Sequence, residues 1–161
     1  MLLTNLYFQE KNYTKASYYI SKALKIEDNN TLYWRRYSEI NLKLNFFEEA
    51  IEGFEKCLEL NDTAIEVYIG LADVLTFLGE FNDAVKVLQE AQKENKNFAE
   101  IEYRLAGLTY VLNDKEKAKN YLIKALKIDY DYHLILNELF PTVFEKEEVQ
   151  NLLVNFKKAM E

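Results

Sequence analysis

Ala16, Ala50, Ala84 and Ala118 are separated by 34 residues each time (50 − 16, 84 − 50 and 118 − 84). Seven positions further on stands a second column of small residues, Ala23, Cys57, Ala91 and Ala125. Between the two lies an apolar column, Ile20, Phe54, Leu88 and Leu122, and a fourth set, Tyr13, Phe47, Phe81 and Lys115, keeps the same step. A period of this length, carried by several columns at once, confines the chain to a stack of similar supersecondary units. Apolar spacing inside the units is helical, as at Leu71, Leu75 and Leu78 or Ala84, Leu88 and Ala91. Small side chains let two helices cross closely, and large apolar ones a turn away fill the space beside the crossing.

With four glycines and one proline, the chain has room for long helices and little room for a many-turned β-fold. The turns inside the helix pairs contain Lys11-Asn12, Asn45, Gly79 and Asn113, where Asn and Gly tolerate the left-handed backbone that ends a helix. Polar stretches, such as 27–30, 61–62, 95–97 and 129–131, separate one pair from the next.

These columns resemble the tetratricopeptide repeat pattern, which has Trp, Leu, Gly and Tyr in a first helix and Ala, Phe and Ala in a second. One unit carries Trp34, Tyr37 and Ser38, then Ala50, Phe54 and Cys57; the next carries Tyr68, Leu71 and Ala72, then Ala84, Leu88 and Ala91. The third has Leu105 and Ala106, then Ala118, Leu122 and Ala125. Asp62, Lys96 and Tyr130 stand where the family usually places proline between units. The resemblance implies an all-α, right-handed α-solenoid of helix-turn-helix pairs closed by a C-terminal capping helix. Its units would be a partial first repeat at 1–30, repeats at 31–64, 65–98 and 99–132, and a degenerate repeat with the capping helix at 133–161. The first helix of 1–30 lacks its opening turn, so the chain is expected either to begin inside a longer array or to have a short first helix. In the last unit, Pro141 is expected to break the first helix. Thr142 and Glu145 have capping-box spacing before a helix that presents Val149, Leu152, Leu153, Phe156 and Met160 on one face.

A net charge of −7 argues against nucleic acid as the partner, because phosphate binding needs a positive surface. No stretch approaches the roughly 20 apolar residues of a membrane span. One cysteine, Cys57, and one histidine, His133, cannot build a zinc site from the usual ligands. Gly53, Gly70, Gly79 and Gly107 are too scattered for a phosphate loop. The reading is therefore a non-enzyme without cofactor or metal, in a reducing, cytoplasmic setting, that binds a protein or peptide. An alternative is a structural module that associates with itself through its N-terminal edge.

In the family the first helix of each pair lines a concave groove. Carried over, that implies a partner-binding set of Arg35, Arg36, Glu39, Asp73, Phe77, Tyr103, Arg104 and Tyr110. All three arginines of the chain fall in it, and a guanidinium fork suits a partner's carboxylates.

Overall fold

The computed structural model describes residues 1–160, and every regular element among them is a helix. The chain divides into two compact units, Met1–Leu78 and a second that starts at Gly79.

The first unit contains α1 (Leu2–Gln9), α2 (Tyr13–Leu24), α3 (Thr31–Lys43), α4 (Phe47–Glu59) and α5 (Ile65–Phe77). Each helix packs on the next in sequence. The repeat columns supply the seams: Ala16, Ile20, Ala50, Phe54 and Cys57 are all buried. At the α3–α4 crossing even alanine is too large at one point. A Cβ on Gly53 would lie 2.2 Å from Ser38 Oγ and 3.1 Å from the Trp34 carbonyl oxygen, so the missing side chain sets the closeness of the pair. Trp34 packs edge-on against Tyr37, and its indole N–H donates to the Asp28 carbonyl oxygen at 2.6 Å, which holds the turn before α3.

The second unit contains α6 (Phe81–Glu94), α7 (Ala99–Val111) and α8 (Lys115–Ile128), then a 3-10 turn (Asp131–His133), α9 (Leu134–Leu139), α10 (Pro141–Phe144) and α11 (Glu147–Met160). α7 packs between α6 and α8 and also against α9 and α10, while α11 packs on α8. Val149 and Leu153 of α11 are buried, as are Leu122 and Leu126 of α8.

Left-handed backbone recurs with the sequence period. Lys11 (φ 58°), Asn45 (φ 60°), Gly79 (φ 81°) and Asn113 (φ 62°) are 34 apart (45 − 11, 79 − 45 and 113 − 79). The residue after each of three of these donates back to the helix it has just left: Asn12 N–H to Tyr7 O at 2.8 Å, Phe46 N–H to Asn41 O at 2.9 Å and Asp114 N–H to Thr109 O at 2.9 Å. Those bonds satisfy the last carbonyls of the first helix in each pair and reverse the chain.

Pro141 does end α9, but the expected capping box does not form. Thr142 lies inside α10, because Pro141, lacking an N–H and fixed in φ, starts a short helix of its own one residue earlier. α11 begins only at Glu147, with Glu147 and Glu148 in its first turn and Lys157 and Lys158 in its last.

Candidate functional site

In the first unit the first helices of successive pairs are linked through arginine. Arg35 of α3 forks Asp62 with two bonds, Nε to Oδ2 at 2.7 Å and Nη2 to Oδ1 at 2.5 Å. Asp62 Oδ1 also accepts from the Ala64 N–H, so the pair fastens the turn that enters α5. The guanidinium holds the Asp62 carboxyl below the usual carboxylate range. Proline is usual at this position of the repeat; here an ion pair does the fixing. Arg35 also approaches the exposed Glu66 of α5 at 3.9 Å.

Arg36 faces the other way. Its guanidinium lies over the Phe8 ring of α1, 4.6 Å from the centroid, and bonds Glu39 within α3 at 2.5 Å. The Arg36–Glu39 pair is partly exposed, at 27% and 46% of the two side chains. Two large apolar side chains are exposed in the same unit, Leu32 on α3 and Phe77 on α5, the latter 72% exposed with its ring 4.8 Å from Phe47. Asp73 is exposed on α5.

The three α7 residues of the expected set are placed differently. Every residue from Ile101 to Tyr110 is buried, so α7 has no open face along this stretch. Tyr103 is fully enclosed, and its hydroxyl donates to the Asp129 carbonyl oxygen at 2.8 Å; burial pushes its acidity well below that of a free phenol. Arg104 forks one oxygen of Glu100, from Nε at 3.0 Å and Nη2 at 2.8 Å, and the other oxygen accepts from the Tyr132 hydroxyl at 2.8 Å. Tyr110 is 6% exposed. These three line no open groove here, because α8 covers one side of α7 and residues 134–144 cover another.

Two features of the second unit had no counterpart in the sequence reading. Glu102 is 1% exposed; its Oε1 accepts from Gln92 of α6 at 2.8 Å and from Lys124 of α8 at 2.5 Å, tying three helices through one carboxylate. Phe140 lies across the backbone of Gly107: a Cβ at 107 would be 2.1 Å from its Cδ2. The sequence did carry a signal for the second. Ser38, Ala72 and Ala106 form the small-residue column at the helix crossing, and Phe140 is its next member (140 − 106 is 34). A phenyl ring does not fit such a crossing and must go elsewhere.

The two single reactive residues have structural settings. Cys57 is buried, and burial pushes its thiol up to about 12, so it is held as a neutral small apolar group. The His133 ring is tilted by 39° against that of Tyr130, centroids 4.8 Å apart, and its Nδ1 donates to the Tyr130 carbonyl oxygen at 2.7 Å. Among the described residues no helix is long and apolar enough to cross a membrane.

Comparison with known proteins agrees with the paired-helix fold. Residues 42–97 and 103–132 match two models of the tetratricopeptide repeat, together more than half of the chain. DnaJ homolog subfamily C member 7 from Mus musculus is 32% identical over 151 positions, covering 80% of this chain and 30% of the relative. The chain spans 15% to 30% of the length of the first curated relatives it matches. Among solved structures, MamA superposes with a TM-score of 0.81 at 20% identity over 98% of this chain and 92% of that one. YrrB, described as a TPR protein with an unusual peptide-binding site, gives 0.72 at 17% identity over 96% and 83%.

Proposed function

We propose a function from one premise: this chain belongs to the tetratricopeptide repeat family. It is a protein-interaction scaffold that holds a segment of another protein on the first-helix face of its first unit. The observation that carries this is the combination on α3 and α5 of exposed apolar side chains, Leu32 and Phe77, with the partly exposed Arg36–Glu39 pair. Ion pairs near the surface are worth little, about 0–1 kcal/mol, and Glu39 is the more exposed partner, so a partner carboxylate exchanges with it at small cost. Charge-assisted hydrogen bonds of the kind a partner would then make contribute about 1.5–3 kcal/mol when shielded from water. The partner segment is acidic and apolar: its carboxylate meets Arg36, and its side chains cover Leu32 and Phe77. Arg35 serves the site as a strut, since its fork is already filled by Asp62. The peptide-binding site named for YrrB and the organizing role named for the Hsp70-Hsp90 organizing protein of Glycine max belong to those proteins; they support a binding role for this repeat array by likeness of architecture.

The test is affinity capture from the source cell with wild type, Arg36→Ala, Phe77→Ser and the α8 control Lys119→Ala, with captured proteins quantified. Loss of the same proteins in the first two variants and retention in the control supports the reading. Equal capture by all four places binding elsewhere.

A second reading rests on a different surface. Leu2, Leu3 and Leu6 on α1 and Ile26 after α2 are exposed, with Leu2 and Ile26 at 89%. An apolar edge of this kind supports self-association through the N-terminal end, the alternative function of such an array. A concentration-dependent mass in light scattering, abolished by Leu2→Lys with Ile26→Lys, is its expected outcome.

A further inference from the structure

α7 is buried all round between Ile101 and Tyr110, and part of that cover comes from a segment unlike the rest of the array. Residues 134–144 form two fragments of 6 and 4 residues, α9 and α10, divided by Pro141. Three side chains of the segment are buried, Leu136, Phe140 and Val143, and the residues between them are exposed. They are spaced by four and then three residues across the helix break at Phe140 (φ −136°, ψ 62°), and together they form the buried side of the segment. The central anchor lies where α7 has no side chain to oppose it. Position 107 continues the column of Glu39 and Asp73, and there alone among the three the residue is glycine (107 − 73 and 73 − 39 are both 34). The Phe140 ring occupies the space that a side chain would take.

We infer that the Gly107 face of α7 is a peptide-binding site for segments of the pattern Leu-x-x-x-Phe-x-x-Val, filled in this chain by its own residues 134–144. This goes beyond the first-unit face and does not depend on it. A partner carrying the same three anchors competes with the internal segment. α11 packs on α8 as well as on α10, so its own attachment does not depend on α7. The exposed apolar residues Leu134 and Leu139 show that the internal ligand buries its anchors and leaves other apolar surface in water. Segments this short cannot hold helical structure by themselves, which makes their departure from α7 a local event rather than the unfolding of the unit.

The test uses the full chain and a fluorescent peptide of residues 132–146. Phe140→Ala removes the central anchor of the internal ligand and leaves Gly107 uncovered. A site freed from its internal occupant binds a competitor more tightly by the factor by which the occupied fraction falls, here about tenfold or more. We expect at least that gain in peptide affinity for Phe140→Ala over wild type, and its loss when Gly107→Ala is added, because the new Cβ takes the space of the incoming ring. Equal affinity for wild type and Phe140→Ala, or no binding to either, overturns the inference. Hydrogen exchange on the wild type decides the case should Phe140→Ala fail to fold. Amides of 134–144 exchanging about tenfold or more faster than those of 101–110 support a displaceable segment. Exchange of both stretches at one common rate makes the segment a fixed part of the fold and overturns the inference.

Discussion

The first helices α3 and α7 occupy the same place in the 34-residue pattern and have opposite surroundings. α3 keeps Leu32 in water, and its Arg35, Arg36 and Glu39 are all partly exposed. α7 has ten consecutive buried residues, a glycine where α3 has Glu39, and a phenyl ring from further along the chain over that glycine. The same fold position is thus a surface in one unit and a core in the other. The repeat pattern fixes which residues of a helix meet its paired helix. What covers the opposite face depends on the chain that follows, and after residue 132 that chain leaves the pattern.

The largest expected effect follows from this contrast. Truncation after Pro141 removes Val143, Val149 and Leu153, all buried in the second unit. Each large apolar side chain contributes about 1.5–3 kcal/mol when buried, so the second unit should lose several times that amount and the first unit nothing. Hydrogen exchange resolved along the sequence measures both at once; equal protection in truncated and full chains would remove the capping role of the C-terminal segment.

Next comes the difference between the two kinds of ion pair. Lys124→Ala leaves the Glu102 carboxylate enclosed with only Gln92 as partner and should cost about 1.5–3 kcal/mol. Arg36→Ala breaks a pair that keeps partial access to water and should cost less, about 1 kcal/mol. Urea titrations of the two variants, read as shifts in midpoint at constant slope, test that order. Equal shifts would mean that burial of Glu102 does not distinguish the two ion pairs.

Acid should act on the first unit through the Arg35–Asp62 clamp. The folded-state pKa of Asp62 is lowered, so its stabilisation is fully present above the unfolded carboxyl value of about 3.9 and disappears as pH falls through the folded value. Asp62→Asn should therefore be less stable than wild type near neutrality, with the gap closing below about pH 4. Thermal melts at a series of pH values are the measurement, and a gap that stays constant into acid would exclude the clamp as its source.

The smallest expected effect is a gain. Lys11 holds φ 58° in the first unit at the position where the second has Asn113. A left-handed conformation costs a residue with a full side chain about 1–2 kcal/mol, so Lys11→Gly should raise stability by up to about 1 kcal/mol after the entropy of glycine is counted. A fall in melting temperature would mean that the lysine side chain makes a compensating contact.

Much of this architecture was readable in advance. The alanine columns located the helix pairs, and Asn45, Gly79 and Asn113 located the turns, because a left-handed turn and a close helix crossing each accept few residue types. Arg35 and Arg36 lie on α3, and the carboxylates that engage them, Asp62 and Glu39, are not named by residue type or period. Tyr103, Arg104 and Tyr110 were misjudged as open surface. Aromatic and arginine side chains serve equally well on a binding face and in a covered one, so residue type alone does not separate the two. The deciding evidence was the misfit of Phe140 in a small-residue column, which is a statement about packing between distant stretches rather than about local preference.

Gly107 and its cover also differ in when they exist. The chain is made from its N-terminus, and α7 is complete in sequence at Val111, while α10 ends at Phe144, 33 residues later (144 − 111). At about 5–20 residues per second, α7 precedes the segment that covers it by about 2–7 seconds on every ribosome. On the inference drawn for the Gly107 face, the nascent chain presents that face during the interval without its competitor in cis, and newly made molecules are the more receptive form.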